Sequence, residues 1–115
     1  MKHRQFCFTL DLEDDKQLIR QYERYHQPGN VFPEVVKSIK DSGIIDMKIY
    51  RFETRLIMLM IVDDSFTFAN KAQIDQNNPK IQEWEQLMDR FQKRVSSASN
   101  EKWVLCNEIF TFADH

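Results

Sequence analysis

Leu56-Ile57-Met58-Leu59-Met60-Ile61-Val62 is an unbroken apolar run of strand length, and it constrains the fold more than any other stretch of the chain. Polar Glu53-Thr54-Arg55 precedes it and Asp63-Asp64 follows, so it reads as a strand closed off by turns. An antiparallel strand with one face in water alternates apolar and polar residues. This one has no polar face at all. Helices must cover one side, and something else must cover the other. A partner subunit is the economical candidate, because a chain of 115 residues is the size of one ordinary domain and gains from an oligomer interface. The run is far too short to span a bilayer.

The rest of the chain supplies the expected cover. Gln5 to Leu12 carries Phe6, Cys7, Phe8, Leu10 and Leu12 and reads as a first strand. Asp14 and Asp15 then place negative charge where a helix should begin. Leu18, Ile19, Tyr22, Tyr25 and His26 follow with helical spacing. Pro28 cannot continue that helix and Gly29 suits a turn, so Pro28-Gly29-Asn30-Val31 is a corner. Pro33 opens a second helix with Val35, Val36 and Ile39 inward, and Gly43 is its natural C-terminal cap.

Ile44 to Phe52 is the hairpin partner of the apolar strand. A short helix is expected around Phe66 to Ala72. Asn78 caps a long amphipathic helix with Pro79 at its first position and Ile81, Trp84, Leu87, Met88, Phe91 and Val95 on one face. Ser96 to Glu101 reads as a polar loop, and Trp103 to Phe112 as a last strand. The fold class is therefore α+β: one domain over residues 1–115, with a ferredoxin-like antiparallel sheet and helices on one face. Two such sheets face to face would make a dimeric α+β barrel.

Composition narrows the function by exclusion. Sixteen basic residues against 18 acidic ones leave a net charge of -2, with no electrostatic footprint for nucleic acid or an anionic membrane. Cys7 and Cys106 are the only cysteines, both in strand-like runs, and they read as buried thiols with no zinc-site spacing. Met1-Lys2-His3-Arg4 leads into a short mixed strand rather than a signal sequence, so a reducing, cytoplasmic setting is expected. No phosphate-binding glycine loop, dinucleotide fingerprint or Ser-His-Asp signature is present.

Histidine and aromatic rings remain. His3 and His115 lie near the termini and are expected in solvent. His26 alone sits inside a patterned segment, with Tyr22 one helical turn earlier on the same face. The plainer role for His26 is to cap a helix C-terminus, and the functional one is general acid/base catalysis near neutral pH. Tyr22 and Tyr25 fit ordinary amphipathic packing, and Trp84 fits the core. The five methionines read as core filling.

In Tyr22…His26-Gln27-Pro28, Phe32-Pro33-Glu34-Val35, Ser42-Gly43, Ile49-Tyr50, Thr54-Arg55-Leu56, Trp84…Met88 and Glu108-Ile109-Phe110, taken in order and spacing, the chain resembles the L-rhamnose mutarotase family, related L-fucose mutarotases included. The resemblance implies a small dimeric α+β barrel that interconverts the α and β anomers of a free 6-deoxy sugar. It implies His26 as the proton-donating catalytic residue and Tyr22 and Trp84 as substrate-binding residues. It also implies no cofactor, no metal and a homodimer. The chain departs from the pattern at Phe32, where a tryptophan is common, and at Met47, where some members have a tyrosine. Glu85 stands in place of a second tryptophan, and the corner Gly29-Asn30-Val31 is longer than in some members. Two other readings compete on the same fold: a cofactor-independent monooxygenase and a non-catalytic sugar-binding module.

Overall fold

The computed structural model describes residues 3–95 and 102–115. The polar loop expected over 96–101 lies outside the described residues. The first strand, β1, runs over Arg4–Leu12. Asp15 then caps α1, Lys16–Tyr25, by accepting from the backbone of Gln17 and Leu18. After the Pro28-Gly29 corner comes α2, Pro33–Asp41, with proline in its first turn. The hairpin follows as β2, Ile44–Phe52, and β3, Arg55–Val62. Two more helices, α3 over Phe68–Gln76 and α4 over Pro79–Asp89, precede two short strands, β4 over Gln92–Lys93 and β5 over Val104–Leu105.

The sheet order is β2-β3-β1-β4, all antiparallel, with β5 also on the β1 edge. This is the ferredoxin-like arrangement expected, and in one chain the sheet is open rather than closed into a barrel. Phe8, Leu10 and Leu12 of β1 and Leu56, Met58, Met60 and Val62 of β3 point to one face and are buried. They meet Tyr22 of α1, Trp84 and Met88 of α4, and Phe66 between β3 and α3. The other face carries Ile57, Leu59 and Ile61, which stay half-buried. Tyr50, paired with Ile57, is exposed beside them. Among the described residues no helix is long and apolar enough to cross a membrane.

One glycine is fixed by geometry. Gly43 follows α2 with φ +93°, and a Cβ there would stand 2.6 Å from both Asp63 Oδ1 and Ser65 Oγ. A side chain at this point would meet both a left-handed backbone and a steric clash.

Four expectations shift. The helix expected around Phe66 to Ala72 begins later, because Thr67 caps it through Asn70, and Phe66 is left buried outside it. The inward residue of α2 is Ser38 rather than Val36: Ser38 is buried and bonds Asp75, while Val36 is exposed. The long helix stops at Asp89 instead of carrying its apolar face to Val95. Phe91 tucks inward, its carbonyl takes the Glu13 N–H at 2.8 Å, and the chain is captured as a strand beside β1. The last strand is short: Val104–Leu105 pair with β1, Cys106 N–H reaches the Cys7 carbonyl, and Ile109, Phe110 and Phe112 beyond it are exposed. A strand needs a ladder to join, and past Cys106 the segment leaves the β1 edge.

Candidate active site

The corner after α1 is built by the residues that ended the helix in sequence. His26 is the C-cap of α1. Its Nδ1 lies 2.7 Å from the Tyr22 carbonyl oxygen, an atom that can only accept, so Nδ1 carries the proton. The neutral ring then has its lone pair on Nε2. Asn30 supports the same helix end by donating Nδ2 to the Arg24 carbonyl at 2.7 Å. His26 thus does cap its helix, as the plainer reading holds, but with one nitrogen only.

Packing brings the three sequence candidates together. The Tyr22 and His26 rings lie 4.3 Å apart between centroids, and His26 and Trp84 lie 5.5 Å apart, edge to face. Phe32 packs edge-on against Trp84 at 5.0 Å. Tyr22, His26 and Trp84 all line one cavity of about 570 Å³ between the helices and the inner sheet face. That size falls in the range of roughly 300–1,000 Å³ usual for small-molecule sites. His3 and His115 are exposed and stand apart from it.

Electrostatics gives the two titratable groups opposite tendencies. Burial holds the His26 imidazole below its ordinary 6.5, partly opposed by the bond to the Tyr22 carbonyl. The ring is therefore neutral at neutral pH and ready to take a proton. Burial pushes the Tyr22 phenol up to about 12; the neighbouring Gln92 amide lowers it somewhat, and the charge of Glu85 raises it. Tyr22 stays a hydrogen-bond donor across the whole working range.

Several wall residues escaped the sequence. Gln92 lines the cavity, yet a helix running on to Val95 would have placed it on a solvated side. At another part of the wall, Lys71 Nζ donates to Asp75 Oδ2 at 2.6 Å and to Ser38 Oγ at 3.1 Å, and Ser38 Oγ donates to Asp75 Oδ1 at 2.7 Å. The i,i+4 spacing of Lys71 and Asp75 was a visible signal, but nothing local tied them to Ser38. Glu85 also faces the cavity, with its carboxylate 3.1 Å from Lys102 Nζ. Cys7 and Cys106 are half-buried, unbonded neighbours across the β1–β5 ladder.

The sequence model of L-rhamnose mutarotase matches residues 5–112, nearly the whole chain. The chain belongs to the L-rhamnose mutarotase family. It is accordingly a sugar mutarotase, an isomerase. An L-fucose mutarotase of Xanthomonas campestris pv. campestris is 46% identical over 115 residues, covering 99% of this chain and 92% of that protein. A UPF0734 protein of Dictyostelium discoideum is 34% identical over 98 residues, covering 82% of this chain and 74% of its own. The crystal structure of an L-rhamnose mutarotase from Formosa agariphila superposes with a TM-score of 0.67. It covers 94% of this chain and 97% of its own at 18% identity, a likeness of fold. The mutarotase family fold is thus carried by the open α+β sheet with the four α-helices of the described residues.

Proposed function

We propose that the protein interconverts the α and β anomers of a free 6-deoxy-L-hexose, L-fucose before L-rhamnose, with His26 as the catalytic residue and Tyr22 and Trp84 holding the sugar. The observation that carries this reading is the fixed tautomer of His26: Nδ1–H is tied to the Tyr22 carbonyl, and Nε2 is left for chemistry at the wall of a cavity shared with Tyr22 and Trp84. The preference for L-fucose follows the 46% identical relative of that name. It also suits Met47 and Glu85 at positions where some rhamnose enzymes carry aromatic rings.

Ring opening moves one proton from the anomeric hydroxyl O1 to the ring oxygen O5 while the C1–O5 bond breaks. Both oxygens are bonded to the same carbon, so one imidazole nitrogen can serve them in turn. Neutral His26 takes the O1 proton at Nε2, and the imidazolium returns it to O5. Rotation about C1–C2 presents the other carbonyl face, and the same steps in reverse close the ring. Tyr22 remains protonated throughout and offers its hydroxyl as a donor to sugar oxygen. Trp84 and Phe32 supply apolar faces for the methyl and C–H surface of a deoxy sugar. No redox step enters this scheme.

Anomer-exchange NMR on L-fucose and L-rhamnose tests the proposal. The enzyme is expected to speed exchange of both, L-fucose more. No acceleration of either sugar at micromolar enzyme would overturn it.

The working form is a homodimer with the outer sheet face between subunits. Ile57, Leu59 and Ile61 stand half-buried there, with Tyr50 at 53% and Phe52 at 77% exposure alongside. A single chain would leave this apolar strip of β3, with Tyr50 and Phe52 beside it and Lys48 and Thr9 bordering it, against water. Sedimentation at micromolar concentration should give twice the 13.9 kDa chain mass. A strictly monomeric profile would count against the dimer. The setting is cytoplasmic and reducing, which the two unbonded neighbouring thiols suit.

A further inference from the structure

The edge ladder of the sheet brings the two cysteines face to face. β5 meets β1 through the pairs Phe8–Leu105 and Thr9–Val104. One step further in the same register stand Cys7 and Cys106, and the Cys106 N–H donates to the Cys7 carbonyl at 2.8 Å. Opposite residues of an antiparallel pair point to the same face of the sheet. At a hydrogen-bonded position their Cα atoms lie about 5.5 Å apart, inside the span of roughly 4.4–6.8 Å that a disulfide bridges. Both thiols are free and half-buried. Burial first, and then the charge and hydrogen bond of Cys106, hold the Cys7 thiol above its ordinary range, so the two sulfurs act on each other. The pair stands beside Leu59, at the border of the strip for which a second subunit is proposed.

We propose that Cys7 and Cys106 close a reversible intrachain disulfide with a small disulfide as oxidant, and that the bridge locks the segment before Cys106 onto β1. That segment belongs to the cavity wall. Trp103 lines the cavity, and Lys102 Nζ lies 3.1 Å from the Glu85 carboxylate and 2.5 Å from that of Asp89. A ladder of two residues, with the Cys106 bond beyond it, ties the segment to β1. Edge contacts of that length open locally at low cost. The chemistry is two exchanges. One protein thiolate attacks the small disulfide, forms a mixed disulfide and releases one small thiolate. The second protein thiolate attacks the protein sulfur of that bond and releases the other. Two protein thiols are oxidised, one small disulfide is reduced to two thiols, and the two protons given up by the cysteines end on them. In a reducing cell such a bridge is transient, which is the form that redox-sensing disulfides take there.

The test is oxidation of the native protein by oxidised glutathione, read by intact mass, peptide mapping and hydrogen exchange. The chain is expected to lose two hydrogens, to give one linked peptide pair holding Cys7 and Cys106, and to regain the hydrogens with a dithiol reductant. Amide exchange across 103–106 should slow by about tenfold or more in the oxidised form. Its melting temperature should rise, because the bridge closes a loop around nearly the whole chain. Cys7→Ser and Cys106→Ser should each abolish the loss of hydrogens and the slowed exchange. The wild-type readouts decide the matter even where a serine variant fails to fold. Thiols that stay reduced, glutathione taken up without closure of the bridge, or a covalent link between two chains overturns the proposal. So does a bridge that leaves exchange across 103–106 unchanged, since it would lock nothing.

Discussion

His26→Ala is expected to lower anomer exchange by roughly 10²–10⁴-fold, the contribution of one positioned acid/base group. Sugar affinity should change far less, because Tyr22 and Trp84 remain in place. Removing the ring also removes the bond to the Tyr22 carbonyl at the end of α1, a loss of about 0.5–1.5 kcal/mol that should leave the enzyme folded. The pH profile separates catalysis from capping. Burial holds the native imidazole below 6.5, so kcat/KM should rise as pH climbs through that lowered value and level off by neutrality. Stability moves in the same direction. The unfolded chain takes up the proton near 6.5 and the native state resists it, so stability is full above 6.5 and falls as pH drops toward the native value. Both dependences should vanish in His26→Ala. A variant with a normal rate and an unaltered profile would reduce His26 to a helix cap.

Trp84→Ala is expected to destabilise the fold by about 3–5 kcal/mol, measured by urea unfolding. Trp84 is only 6% exposed, and it packs with Leu12, Tyr22, Leu56, Met88 and Phe91 in one cluster. It is therefore core on one side and cavity wall on the other, and a large stability loss in the alanine variant says nothing against contact with sugar. Trp84→Phe keeps most of the packed volume and is the variant that reads the site. It should stay folded and raise KM several-fold, with a smaller fluorescence response to L-fucose. Unfolding of the alanine variant at the wild-type midpoint would take Trp84 out of the core. An unchanged KM in the phenylalanine variant would take it out of the sugar site.

The sheet itself shows how far local pattern reaches. The continuous run Leu56 to Val62 demanded cover on both faces, and β3 does bury Leu56, Met58, Met60 and Val62 on the helix side. Its opposite residues are the ones for which a second subunit is proposed. The starts of α1, α2 and α4 and the end of α2 were equally legible, because their signals are steric and short-range. Asp15 caps α1, Pro33 starts α2, Gly43 ends it in a left-handed conformation, and Asn78-Pro79 starts α4. The pairing of Tyr22 with His26 was also visible, since one helical turn separates them and the corner follows directly.

Within that frame, the sequence by itself determined the order of elements from β1 to α4, the helix boundaries set by caps and prolines, and the one segment that carries a titratable ring beside a phenol. Trp84 as a sugar contact came from family resemblance, and only the tertiary structure puts its ring against His26. Only the tertiary structure stopped α4 at Asp89, drew Phe91 inward and turned Gln92 toward the cavity. It alone joined Ser38 of α2 to Lys71 and Asp75 of α3, and cut the last strand to Val104–Leu105. The physical reason is range. Caps, turns and hydrophobic period act within a few residues and leave a mark in the local sequence. The meeting of α4 with the edge of β1 is decided by ladder hydrogen bonds and burial between residues some 80 positions apart. There a captured strand outweighs a helical pattern that reads well on its own.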